Sequence, residues 1–195
     1  MIEALSSVFT AFGLSSAAGL NAYLPLLIVA LLARYTDLIT LREPWNALES
    51  PWIIGLLVVL LAIEMLADKV AGIDHINDII QTFIRPVAGA ILFAANGNVI
   101  SDLHVVLALG LGVLAAGSVH TAKATVRPAI TVTTAGLGNP VVSVLEDIVS
   151  AALTIMAILL PILTVLVSVL MVILVLRWRR KRKMAAQPTS PAAGP

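Results

Sequence analysis

Long apolar runs, interrupted by short polar stretches, organise this chain. Residues 5–33 are apolar around the stretch "SSAAGLNAYLPLL", where Gly19, Asn21 and Pro25 each weaken a helix, so the pattern predicts one kinked or broken helix. Residues 34–50 are polar and hold Trp45, placed as an interface anchor. Pro51 suits the first turn of a second span reaching about Gly72. Residues 73–78 read as a short polar connection, a third span follows to about Ala95, and "NGN" at 96–98 reads as a turn. A fourth span covers about Asp102 to Lys123.

The last third is less regular. Residues 125–134 read as a short re-entrant helix ahead of a breaker cluster, Gly136, Gly138, Asn139 and Pro140. Irregular backbone at membrane depth is tolerated where it is buried in protein or faces water. Residues 141–176 are apolar apart from Glu146 and Asp147, and as a helix would extend about 50 Å. A hairpin at "ILLPILT" would lack polar turn residues, so one long helix kinked at Pro161 is expected; a tight turn there is the alternative. The reading is an all-α, polytopic helical membrane protein of five to six transmembrane helices with broken or re-entrant segments. Residues 1–178 form the membrane domain and 179–195 a basic anchor and disordered tail.

Composition supports the membrane assignment: 59% of residues are hydrophobic and 12% charged, against about a quarter charged in soluble domains. The net charge of +1 conceals a run, Arg177, Arg179, Arg180, Lys181, Arg182 and Lys183, that holds six of the twelve Lys and Arg residues. Directly after an apolar segment such a run is a cytoplasmic topology anchor, with binding to anionic lipid head groups as the alternative and nucleic-acid binding a distant third, so no nucleic-acid partner is expected. With that tail inside, five spans would also put the loop holding Arg34 and Arg42 inside. The absence of cysteine excludes disulfides and thiolate chemistry. The first residues lack the basic region of a secretory signal.

Charge inside the apolar runs is the chemical signal. Glu64 and Asp68, four residues apart, share a helix face, as do Asp74 and Asp78. A carboxylate near the bilayer centre costs at least about 2.5 kcal/mol, so it needs a partner, water or a proton. Lys69 and Arg85 would neutralise these acids in a bracing network; alternatively the acids carry a coupling proton or cation, with Glu64 placed deepest. Arg85 and Arg127 each precede a proline, in "TFIRPVAGA" and "ATVRPAITV". A proline at the first helical position would leave free amides beside each guanidinium, a ready anion site. The likeness of the two stretches, with "SAAGLNA" and "LAAGSVHTA", also suggests an inverted repeat, a common transporter plan. His120 and Lys123 close the fourth span, Asn139 is placed to cap the following helix, and Glu146 and Asp147 follow in it. No catalytic residue, metal site or cofactor motif is recognised: Asp74, His75 and Asp78 lack a completing element, and hydrolase, zinc-protease and phosphate-loop motifs are absent.

These residues point first to a transporter or channel-like protein, not an enzyme. It would handle a polar or anionic solute, including a lipid phosphate, with Arg85 and Arg127 at the anion and Glu64 and Asp68 carrying a proton or cation. The breaks around Asn21 and Asn139 would expose backbone groups to the site. A membrane assembly or scaffold protein, with Gly110, Gly112 and Gly117 allowing close helix contact and homo-oligomers, is the second reading. An intramembrane lipid-modifying enzyme is the third. The stretches "SSAAGLNAYLPLL", "IEMLADKVAGIDHINDIIQTFIRPVAGA" and "HTAKATVRPAITVTTAGLGNPVVSVLED" resemble a family of small bacterial integral membrane proteins, domain of unknown function 4126. The resemblance covers nearly the whole chain before the basic tail. It implies a multi-pass membrane protein and lends no catalytic role to any residue; the expected location is the bacterial cytoplasmic (inner) membrane, with the C-terminus cytoplasmic.

Overall fold

The computed structural model describes residues 2–68, 73–96 and 104–185. Seven α-helices and one 3₁₀ turn account for most of them: α1 Ile2–Ala18, α2 Tyr23–Tyr35, the 3₁₀ turn Trp45–Glu49, α3 Pro51–Ala67, α4 Ile73–Ala95, α5 Val105–Thr134, α6 Asn139–Leu159 and α7 Pro161–Ala185. Residues 76–95 of α4, and α5 and α6 whole, are long and apolar enough to cross a bilayer; α2, α3 and Pro161–Val175 of α7 are shorter apolar helices. The protein is an all-α membrane protein.

The expected break in the first span is present, and the chain reverses there. The Asn21 Oδ1 accepts the amides of Tyr23 (3.1 Å) and Leu24 (2.9 Å), which starts α2 as a cap would. Pro25 then falls in the first turn, where its missing N–H is not needed. Thr10 and Leu14 of α1 meet Val29 of α2 and residues 38–41 around one pocket, so α2 runs back along α1.

The second reversal overturns the preference for one helix kinked at Pro161. Val142 and Glu146 of α6 line a cleft together with Met171 and Val175 of α7, so α7 returns along α6. The turn needs no polar run. Pro161 opens α7, the Leu160 amide bonds the Met156 carbonyl (2.6 Å), and Thr164 donates both its amide and its hydroxyl to the Leu160 carbonyl (3.1 Å each). Gly13 of α1 leaves room at this corner: a Cβ there would sit 2.7 Å from that of Ala157.

Helices α4 and α5 form a third antiparallel pair, with Asp78 facing Arg127, Thr82 facing His120 and Gly89 against Gly112. Two expectations change here. Residues 73–78 are the first turns of α4 and not a connection, and residues 125–134 continue α5 and are not re-entrant. α5 is 30 residues long, about 45 Å. Pro86 and Pro128 both lie inside helices, so neither Arg-Pro step begins one. Membrane helices tolerate such prolines because neighbouring groups satisfy the freed carbonyls. The second repeat echo is not matched, since residues 19–22 break a helix and residues 117–122 continue one.

The helices thus alternate in direction. At one end Asn96 donates to the Ser7 carbonyl (2.6 Å) and Trp45 packs on Ala11, Phe93, Ala94 and Ala108. Trp45 is therefore half-buried in protein, whereas Trp52, 88% exposed, faces outward. At the other end lie residues 19–22, the end of α3, the start of α4 and the turn at 135–138, and α7 carries the basic run out there. The loop with Arg34 and Arg42 sits at the opposite end from that run, not on the same side as expected.

Candidate functional site

Toward the end that carries the basic run, polar side chains replace the small apolar residues of the core. On α4, Asn77, Gln81 and Arg85 stand at successive i, i+4 positions and are all buried. On α5, His120, Lys123 and Arg127 share the inner face. On α6, Ser143, Asp147, Ser150 and Thr154 form a third buried polar stripe. Glu64 projects from the last turns of α3, and Asp68 follows its end.

These faces assemble two neighbouring charge groups. In the first, Arg85, fully buried, donates to Glu64 Oε1 (3.1 Å) and lies 3.0 Å from His120 Nδ1. The other ring nitrogen of His120 meets the Thr82 hydroxyl at 3.1 Å. In the second, Arg127 is held by three carboxylates from three parts of the chain: Asp78 (2.9 Å), Glu146 (3.0 Å) and Asp68 (3.2 Å). Lys123 pairs with Glu146 (2.8 Å) and donates to the Leu20 carbonyl at the α1–α2 break (3.1 Å). Asp68 also accepts from Asn77 (2.8 Å) and Ser143 (3.0 Å).

Asp147 differs from the other acids in its partners. Its Oδ1 accepts from Asn21 Nδ2 (2.8 Å), and its buried Oδ2 has no partner, as is also true of Glu64 Oε2 and Asp78 Oδ1. Among the described residues no Lys or Arg pairs with it. One turn further along α6, Ser150 donates to the Ala17 carbonyl (3.0 Å), so α6 is stitched to the α1–α2 break at two points.

Of the residues singled out from sequence, Glu64, Asp68, Asp78, Arg85, His120, Lys123, Arg127, Glu146, Asp147 and Asn21 converge here. Asn139 is not the cap of α6, whose N-cap is Gly138; its side chain accepts from Thr131 (3.0 Å), one turn beyond Arg127. Lys69 and the side chains of Asp74 and His75 lie outside the described residues, and Arg127 is the cation on Asp68. Arg85 and Arg127 meet carboxylates instead of free helix amides, because Pro86 and Pro128 are interior. Asn77, Gln81, Ser143 and Ser150 were not anticipated; their signal was the i, i+4 spacing to Arg85 and Asp147. Among the described residues no three His, Cys, Asp or Glu side chains converge in a way that could hold a metal.

Fold and site together define a helical membrane protein with an ionic core. The chain belongs to the family described as a domain of unknown function, DUF4126, whose model matches residues 8–181. Neither a curated protein nor a solved structure matches it.

Proposed function

We propose that the protein is a small ion-coupled transporter, not an enzyme, of the bacterial cytoplasmic membrane, with its basic C-terminal run on the cytoplasmic side. Its buried carboxylates take up a proton or a small cation in step with a polar solute. The carrying observation is Asp147, a carboxylate 9% exposed with an unpartnered oxygen, at the break between two helices. An intramembrane carboxylate without a basic partner calls for a proton, water or a cation. Broken helices that bring such groups together are a recurrent plan in transporters. The wider network supports the same reading: four carboxylates, Glu64, Asp68, Asp78 and Glu146, share three cations, Arg85, Lys123 and Arg127, and Asp147 has none. Both arginines are engaged by these acids, so the reading keeps the coupling ion and moves away from a free anion. At the other bundle end, a cavity of about 240 Å³ with Thr10, Thr40 and Asn96 on its walls rests on Leu14, Val29, Leu92 and Ile158. It is a candidate entrance closed by an apolar layer.

Three carboxylates on one guanidinium favour a second reading, in which the network only braces helices. Proteoliposomes loaded with a pH-sensitive dye separate the two. Under the transporter reading, an externally added polar solute drives proton or cation flux in wild type. Asp147→Asn, which keeps the amide contact to Asn21, abolishes it without loss of thermal stability. Absence of flux with every solute, together with a stability gain in Asp147→Asn from removing an unpaired buried charge, would leave bracing as the function.

A further inference from the structure

We infer that the cleft between α5, α6 and α7 is a binding site for an anionic glycerophospholipid, with an ester carbonyl inside and the phosphate at the basic run of α7. The cleft has a volume of about 160 Å³. Its walls are apolar, with Leu20, Val119, Val126, Ile130, Met171 and Val175 among them, and suit an acyl chain. Lys123, Arg127 and Glu146 are the polar residues of its wall. Arg127 is 8% exposed; its two terminal nitrogens serve Asp68, Asp78 and Glu146, and its buried Nε has no partner. A buried N–H without an acceptor is costly, so this wall asks for a hydrogen-bond acceptor.

The chemistry of that acceptor is constrained by Glu146, which stands in the same wall and is paired with Lys123 and Arg127. A second full negative charge beside that carboxylate is disfavoured, whereas a neutral ester carbonyl accepts the N–H without repulsion. The phosphate then belongs outside. Val175 is followed by Arg177, about 3 Å further along the helix axis, and Trp178 marks an interfacial level. Arg179 and Arg182 lie four and seven residues beyond Val175, the spacing of one helix face. Each basic residue at the surface of an anionic leaflet adds about fivefold in binding. An apolar cleft, a donor within its wall and a cation run beyond it therefore stand together, the three parts a glycerophospholipid requires.

Native mass spectrometry and thermal unfolding of the purified protein in detergent, titrated with phosphatidylglycerol, phosphatidylcholine or glycerol phosphate, test this. Phosphatidylglycerol should be retained and should raise the melting temperature by several degrees, phosphatidylcholine should do so far more weakly, and glycerol phosphate should neither bind nor compete. Val175→Trp, which fills the cleft and carries no charge, should remove the effect, and Arg179→Gln with Arg182→Gln should weaken it by more than tenfold. Met171→Trp is the second blocking variant should Val175→Trp not fold, and the wild-type lipid comparison needs neither. Equal retention of both phospholipids, competition by glycerol phosphate, or undiminished binding in a folded cleft-filling variant would each overturn the proposal.

Discussion

Arg85 and Glu64 are both within the bundle and both nearly inaccessible, at 0% and 2% exposure. Removing one partner of such a pair typically costs about 3–5 kcal/mol, since the other charge is left buried alone. The two halves respond differently to pH. A guanidinium cannot shed its proton, whereas a carboxylate left without its cation can be neutralised by taking one up. Arg85→Gln should therefore be strongly destabilised at pH 8 and recover part of the loss by pH 5. Glu64→Gln should show a deficit that acid does not relieve, and the double variant should be more stable than the sum of the single effects implies. Thermal unfolding of the three variants at both pH values checks this; parallel pH profiles for the single variants would contradict it. The charged members of this network were legible in sequence, because ionisable residues in apolar runs stand out. Their uncharged partners were not. Asn77, Gln81, Ser143 and Ser150 are unremarkable singly, and become significant only as stripes in register with Arg85 and Asp147. Which arginine meets which acid depends on how α4 and α5 face each other, which no local pattern encodes.

Helix contacts follow from small residues placed on particular faces. Gly112 lies directly against Gly89 and Ala90 on α4, while Gly110 and Gly117, two and five residues away, face open space. Of the three glycines expected to allow close contact, Gly112 alone is thus used within the chain. Gly112→Ala should cost about 1–3 kcal/mol through overpacking. Gly110→Ala meets nothing and should be neutral or stabilising by up to about 1 kcal/mol from helix propensity. A melting-temperature comparison in detergent checks the pair, and equal effects would mean that α4 and α5 do not approach as closely as described. The reversals were harder to foresee than the helices. Breakers mark where a helix stops, but a stop does not say whether the chain continues or folds back. At Pro161 the proline opens the next helix, and the Thr164 amide and hydroxyl both donate to the Leu160 carbonyl (3.1 Å each), so the turn needs no polar run. At residues 19–22 the Asn21 side chain caps α2 and reaches Asp147 in one stroke.

The seven helices among the described residues alternate in direction and give the molecule a definite sidedness. The start of α1, the polar loop 36–50 and the α6–α7 turn share one end, while the turn at 135–138 and the basic run share the other. The two arginines of the first loop oppose the positive-inside rule only weakly, since six basic residues in 177–183 outweigh them. Because the native chain has no cysteine, single replacements report without background. Asp37 and Leu137 are both exposed, and neither belongs to the charge network. In intact bacterial cells Asp37→Cys should react with a membrane-impermeant maleimide, and Leu137→Cys should react only after the membrane is opened, as should a tag placed after Pro195. Labelling of both cysteines from the same side would show that α3, α4 and α5, which lie between them, do not make three crossings, and the alternation that brings Glu64, Arg85 and Arg127 toward one end would be lost. Labelling from opposite sides keeps the end of α3, the start of α4 and the end of α5 on one face of the bundle, with the carboxylate network between that basic face and the apolar layer that closes the other end.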